Sequence, residues 1–143
     1  MPQLIGLVGC VKEKRRTAAA AKDLYTSTLF MGRRRAVEQS CEQRFVLSAL
    51  HGLIYPEQRV EPYDVTLNTM GRDERRRWAA GVVQALQRRL GTLQGHHFEL
   101  HAGANYLEFG LIDALTQHGG TVSWPTRGVP MGKQLQYYQR HGA

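Results

Sequence analysis

The stretch Leu47–Asp64, LSALHGLIYPEQRVEPYD, opens as an apolar strand and ends as a polar loop. The fourteen residues from His51 onward carry His51, Tyr55, Glu61, Tyr63 and Asp64. A core strand gains nothing from titratable groups at its end. The carboxyl edge of an open α/β sheet, by contrast, is where such folds bind ligands. A second stretch repeats the arrangement: LIGLVGCVKEK (Leu4–Lys14) runs from apolar residues into Gly9-Cys10 and two lysines. Two strand ends of this kind on one sheet edge describe the rim of a site.

Working outward, Leu4–Val8 lacks clean alternation and predicts a buried, parallel strand. Thr26 and Ser27 are capping residues for a helix reaching about Cys41, with Leu29, Phe30, Arg33, Val37 and Cys41 along one face. Arg44–Leu50 is the second strand, and the polar loop follows it. Asp73 and Glu74 then open a helix where negative charge complements the dipole. Trp78, Val82, Leu86 and Leu90 repeat along it every four residues, and Gly91 and Gly95 end it. HFELH (His97–His101) alternates as a third strand, Gly103-Ala104-Asn105 is a turn, and Tyr106–Gln117 is a short helix stopped by Gly119-Gly120. Thr121–Trp124 is a fourth strand, Pro125–Pro130 a loop, and Gly132–His141 a closing helix. Strands alternating with helices predict one α/β domain over residues 1–143. Its expected form is a three-layer sandwich with a mostly parallel central sheet of about four strands.

Composition bounds the function. At 143 residues and 42% hydrophobic content the chain can bury a real core. No apolar run approaches bilayer length, and Lys12, Glu13 and Lys14 interrupt the N-terminal apolar stretch as no signal peptide would. The expectation is a cytoplasmic protein with no membrane partner. Cys10 and Cys41 are too few for a disulfide framework and lack metal-ligand spacing, so free thiols and no metal are expected. His96 and His97 are adjacent and point to opposite faces of a strand, which argues against zinc. Nineteen Lys and Arg against twelve Asp and Glu leave a net charge of +7. The excess gathers in Lys12-Lys14-Arg15-Arg16, Arg33-Arg34-Arg35, Arg72 with Arg75-Arg76-Arg77, and Arg88-Arg89. Such a surface steers polyanions, although the helical clusters equally suit an arginine-rich solvated face.

Four loop segments should converge at the carboxyl edge: Gly9–Lys14, Ser48–Asp64, Ala102–Tyr106 and Pro125–Met131. Together they suit nucleobase or nucleotide recognition. Asn105 can read a base edge, Tyr63 or Tyr106 can stack, and Lys12, Lys14 or Arg127 can hold phosphate. Glu61 and Asp64, three apart, can serve as base and orienting group; both equally suit a turn around Pro62. A lone histidine such as His51 more often ends a strand, bonded to backbone, and Tyr106 is more often a helix core residue than a catalytic acid. Cys10 can act as a nucleophile near Lys12, ranked below the carboxylates. No Walker loop, GxGxxG, GxSxG or metal cluster occurs, so hydride transfer, ATP-driven phosphoryl transfer and serine hydrolysis lack support, and no cofactor is expected.

The segments GCVKEK (Gly9–Lys14), DLYTS (Asp23–Ser27), LSALHGLI (Leu47–Ile54), EPYDVTL (Glu61–Leu67), AGANY (Ala102–Tyr106) and PTRGVPMGKQLQYY (Pro125–Tyr138) cover nearly the whole chain. In combination they resemble a widespread bacterial family of uncharacterised small domains. Around Leu47–Tyr63 the chain is more loosely similar to the YaaA-like peroxide-stress DNA-binding proteins. It is similar as well to the uracil-DNA-glycosylase-like domain of archaeosine synthases. Where that small-domain family often has Cys-Ser after the first strand, this chain has Cys10-Val11, which removes any hydroxyl role there. The resemblance implies a nucleic-acid or nucleotide ligand and N-glycosidic bond cleavage, a glycosylase-like hydrolysis. A carboxylate, Asp64 with Glu61 orienting or substituting, would stabilise the oxocarbenium-like sugar and position water. His51 would donate to the departing base, and a base inside DNA would have to be flipped out. The competing expectations are a non-catalytic DNA-binding module and an enzyme on free nucleosides or nucleotides. The pattern selects no oligomeric state.

Overall fold

A computed structural model describes residues 2–9, 14–64, 70–108 and 110–141. Seven strands and six helices follow in the order β1 (Leu4–Gly9), β2 (Ala19–Ala20), α1 (Ala21–Leu24), α2 (Thr28–Ser40), β3 (Gln43–Ser48), β4 (Gly52–Ile54), β5 (Arg59–Val60), α3 (Arg72–Leu90), β6 (His97–His101), α4 (Ala104–Leu107), α5 (Leu111–Gln117), β7 (Thr121–Ser123) and α6 (Met131–His141). The fold is α/β. Its main sheet has five strands in the order β4-β3-β1-β6-β7, and β2 pairs with β5 in a separate ribbon. In the main sheet β1 runs parallel to both β3 and β6, β6 runs parallel to β7, and β4 is antiparallel to β3; the β2–β5 ribbon is antiparallel too.

β1 is central and nearly all apolar because both of its faces are covered. Alternate side chains go to two clusters. Ile5, Leu7, Phe45, Leu47, Phe98 and Leu100 meet Val82, Val83 and Leu86 of α3 and Leu111 and Leu115 of α5. Val8, Val46 and Ile54 meet Leu24 of α1 and Phe30 and Val37 of α2. Ser27 caps α2 by accepting the Phe30 N–H at 3.1 Å, as its place in the sequence predicts. α6 packs against α2.

The sheet departs from the expected four strands. Gly52–Ile54 reads as loop because Gly52 and Pro56 bracket only three residues. It folds back on β3 through a three-residue turn, with Gly52 paired to Ser48 at φ +73°. That left-handed conformation closes such a hairpin and favours glycine. β2 and β5 are two residues each, too short to show a period. The helix expected over Tyr106–Gln117 is two pieces, α4 and α5, separated at Gly110. Among the described residues no helix is long and apolar enough to cross a membrane.

Candidate functional site at the carboxyl ends of β1 and β3

The β2–β5 ribbon builds one wall of the site. Ala21 N donates to the Gln58 carbonyl and Lys22 N to that of Pro56, so the chain after β4 is tied to the start of α1. Lys14 forms an antiparallel bridge with Tyr25, and Arg15 N donates to the Leu24 carbonyl at 2.7 Å. These backbone bonds fix Lys14 beside Tyr25, and the Tyr63 hydroxyl links Tyr25 to Ser48, the last residue of β3.

Ser48 is fully buried, and each of its polar groups is used. Its hydroxyl donates to the Tyr63 hydroxyl at 2.7 Å and accepts the His51 N–H at 3.1 Å, while its carbonyl accepts the Trp78 indole N–H at 2.8 Å. The Tyr63 and Tyr25 hydroxyls are 2.5 Å apart. The chain is satisfied with Ser48 donating to Tyr63 and Tyr63 to Tyr25, each proton used once. The Lys14 ammonium lies 4.5 Å from the centre of the Tyr63 ring and 5.7 Å from that of Tyr25, where a cation meets the negative face of an aromatic ring. The His51 ring meets Tyr63 at right angles, with centroids 5.5 Å apart. Trp78 in turn meets Tyr106 edge to face at 5.5 Å. An ammonium and an exposed imidazole therefore gather around a linked chain of three hydroxyls where two parallel strands end, a polar setting for an anionic ligand.

The candidates named from sequence divide as follows. Lys14, His51 and Tyr63 come together. Tyr106 joins them through Trp78, packed into both hydrophobic clusters. Tyr63 is half-buried with its hydroxyl engaged, and it forms a wall of the site. Tyr106 is likewise half-buried. Glu61 and Asp64 are exposed beside Tyr63, and neither forms a hydrogen bond or ion pair among the described residues. Arg127 does not join the group. It follows β7, three strands across the sheet from β3, on the order of 14 Å away, and its guanidinium stands 5.8 Å from the Trp124 ring. Cys10 and Lys12, and the side chain of Asn105, lie outside the described residues. No group of three His, Cys, Asp or Glu among the described residues could hold a metal ion.

Three contributors were not singled out as side chains in the sequence. Ser48 opens a rim segment and Tyr25 lies within DLYTS without either suggesting a role of its own, and Trp78 read as the apolar stripe of its helix. Their polar atoms matter only once the hairpin and the ribbon bring them together.

A second buried network anchors the same sheet edge. The guanidinium of Arg33, 2% exposed on α2, donates to the carbonyl of Gly9, the last residue of β1, at 3.3 Å, and to Gln134 Oε1 at 3.2 Å. Gln134 Nε2 donates to the Val129 carbonyl, which ties the Pro125–Met131 segment to β1. His101 Nε2 lies 2.6 Å from Glu99 Oε1, and its Nδ1 lies 2.7 Å from the Tyr138 hydroxyl. The tautomer that satisfies both has Nε2–H donating to the carboxylate and Nδ1 accepting from the phenol. The His101 hydrogen bond holds the Glu99 carboxyl below its usual range against the opposing effect of burial. Burial pushes the Tyr138 phenol up to about 12, while the nearby Arg33 charge pulls the other way.

The family model that matches this fold covers residues 5–140, from the second residue of β1 to the last turn of α6. The chain belongs to a family of unknown function, DUF6884. The match takes in every segment of the site, so family membership and strand-end geometry concern the same residues. None of the curated proteins matches the chain.

Proposed function

We propose that this member of the family acts on a nucleobase-bearing ligand, a nucleic acid or nucleotide, and cleaves its N-glycosidic bond. The observation that carries the reading is the meeting of Lys14, Ser48, Tyr25, Tyr63 and His51 at the carboxyl ends of β1 and β3, with Asp64 exposed beside Tyr63. Open α/β sheets bind ligands at this edge. In the reaction, Asp64 stabilises the positive charge that develops on the sugar and orients the attacking water, with Glu61 orienting or substituting for it. His51, exposed at the mouth, donates to the base as negative charge builds on it. Lys14 faces the phosphate side, its position fixed by the bridge to Tyr25.

The test is mass spectrometry of small molecules released from modified and unmodified DNA, RNA and nucleosides, by the wild type and by Asp64→Asn. The expected result is a free base from the wild type and at least a hundred-fold less from the variant, the scale of losing one group that stabilises transition-state charge. Equal release by both proteins rejects Asp64.

One observation favours a second reading, a non-catalytic nucleic-acid-binding module of cytoplasmic location. Both carboxylates are exposed and unbonded among the described residues, and Arg72, Arg75, Arg76 and Arg77 crowd the first turns of α3, beside Trp78. In a binding module the carboxylates only repel phosphate. Asp64→Asn then binds DNA more tightly than the wild type, and neither protein releases a base.

A further inference from the structure

We propose that the groove between edge strand β4 and the last turns of α3 holds a single-stranded segment of nucleic acid flanking the nucleotide in the strand-end site. This rests on the nucleic-acid reading above. The groove is lined by Leu53 and Tyr55 on one side and by Ala85, Arg88 and Arg89 on the other. Tyr55 is 46% exposed, and among the described residues the other exposed large apolar side chains are Met31 and Leu50. Its ring is braced from within by Phe45, with centroids 5.6 Å apart, and the Arg89 guanidinium stands 5.8 Å from its centre.

Neither Arg88 nor Arg89 forms an ion pair among the described residues. The bland role for two arginines here is to complement the dipole at the C-terminal end of α3. That role does not explain a braced, exposed tyrosine between them and the sheet. An aromatic ring with flanking cations is the pairing that binds single strands: bases stack on the ring and phosphates meet the guanidinium groups. A duplex keeps its bases stacked inside and offers the tyrosine nothing.

The groove lies along the strand that leads out of the site. β4 begins at Gly52, paired with Ser48, and runs to Ile54, next to Tyr55. Its length puts Tyr55 about 10 Å from the Ser48 turn. Among the described residues β4 is the edge of the sheet, with no further strand beyond it.

The experiment measures binding of a labelled polythymidine strand, a duplex of mixed sequence and a mononucleotide by the wild type, by Tyr55→Ala and by the double variant Arg88→Gln/Arg89→Gln. The wild type is expected to hold the single strand more tightly than the mononucleotide and than the duplex. Tyr55→Ala is expected to weaken strand binding roughly ten-fold, the effect of losing one stacked base. The double variant should flatten the salt dependence of strand binding by about 0.7 in logarithmic slope per arginine. Mononucleotide binding should match the wild type in both variants, which lie outside the strand-end site.

Strand affinities and salt slopes unchanged in both variants overturn the groove proposal and leave the strand-end reading standing. A duplex preferred over the single strand overturns it as well, as does an equal loss of mononucleotide and strand. A wild type that binds neither ligand overturns both this proposal and the reading it rests on.

Discussion

Tyr63 carries two jobs with one phenol: its oxygen links Ser48 to Tyr25, and its ring supports the Lys14 ammonium. Removing the oxygen alone separates them. Tyr63→Phe leaves the buried Ser48 hydroxyl without its acceptor, an expected cost of about 1–3 kcal/mol in urea unfolding, while the cation–ring contact persists. The Glu99–His101 pair makes a prediction about pH. Because the Glu99 carboxyl is held below its usual range, its contribution to stability is fully present above the unfolded value. It is lost as pH falls through the lower folded value. Glu99→Gln should therefore be less stable than the wild type at neutral pH, with the gap closing below about pH 4, read from thermal melts across an acid series. Cys41 offers a third residue-scale prediction. Burial raises its thiol to about 11, so alkylation at pH 8 followed by peptide mass mapping should find Cys41 unlabelled in the folded protein and labelled in urea.

At the scale of elements, α2 lies so close to the sheet that a single methyl group is too much. A Cβ at Gly6 in β1 would stand 2.5 Å from the Val37 Cβ and 3.1 Å from the Cys41 sulfur. Gly6→Ala should destabilise the protein by about 1–3 kcal/mol, the range for overpacking, measured by denaturant unfolding. The long elements were legible because their signals are long. The four-residue repeat of α3, the cap of α2 at Ser27 and the alternation of HFELH each recur over enough residues to outweigh chance. The misses share a physical cause. β4 spans three residues and β2 and β5 two each, so their pairing is decided by the hairpin turn and by long-range docking, which local patterning does not encode. The site inherits that limit. Lys14, His51 and Tyr63 were visible as polar residues at apolar strand ends, while Ser48 and Tyr25 acquire a role only through the turn at Gly52 and the bridge at Lys14. Arg33 carried a partial signal, since it shares the helical spacing of the buried Phe30 and Val37.

For the whole molecule, the net charge of +7 and the topology act together. The sheet order brings the ends of β1 and β3 side by side, and α3 begins its arginine-rich turns next to them while Arg88 and Arg89 end it. Polyanion binding by such a surface should weaken steeply with salt, and neutral ligands should not respond. The central claim is that ligand binds where β1 and β3 end. It is tested most directly by recording NMR spectra of the isotopically labelled protein as mononucleotides are added. The expected result is saturable shifts confined to Lys14, Tyr25, Ser48, His51 and Tyr63 and their chain neighbours. Shifts that saturate elsewhere while these residues stay fixed, or no shifts with any nucleotide, would contradict it.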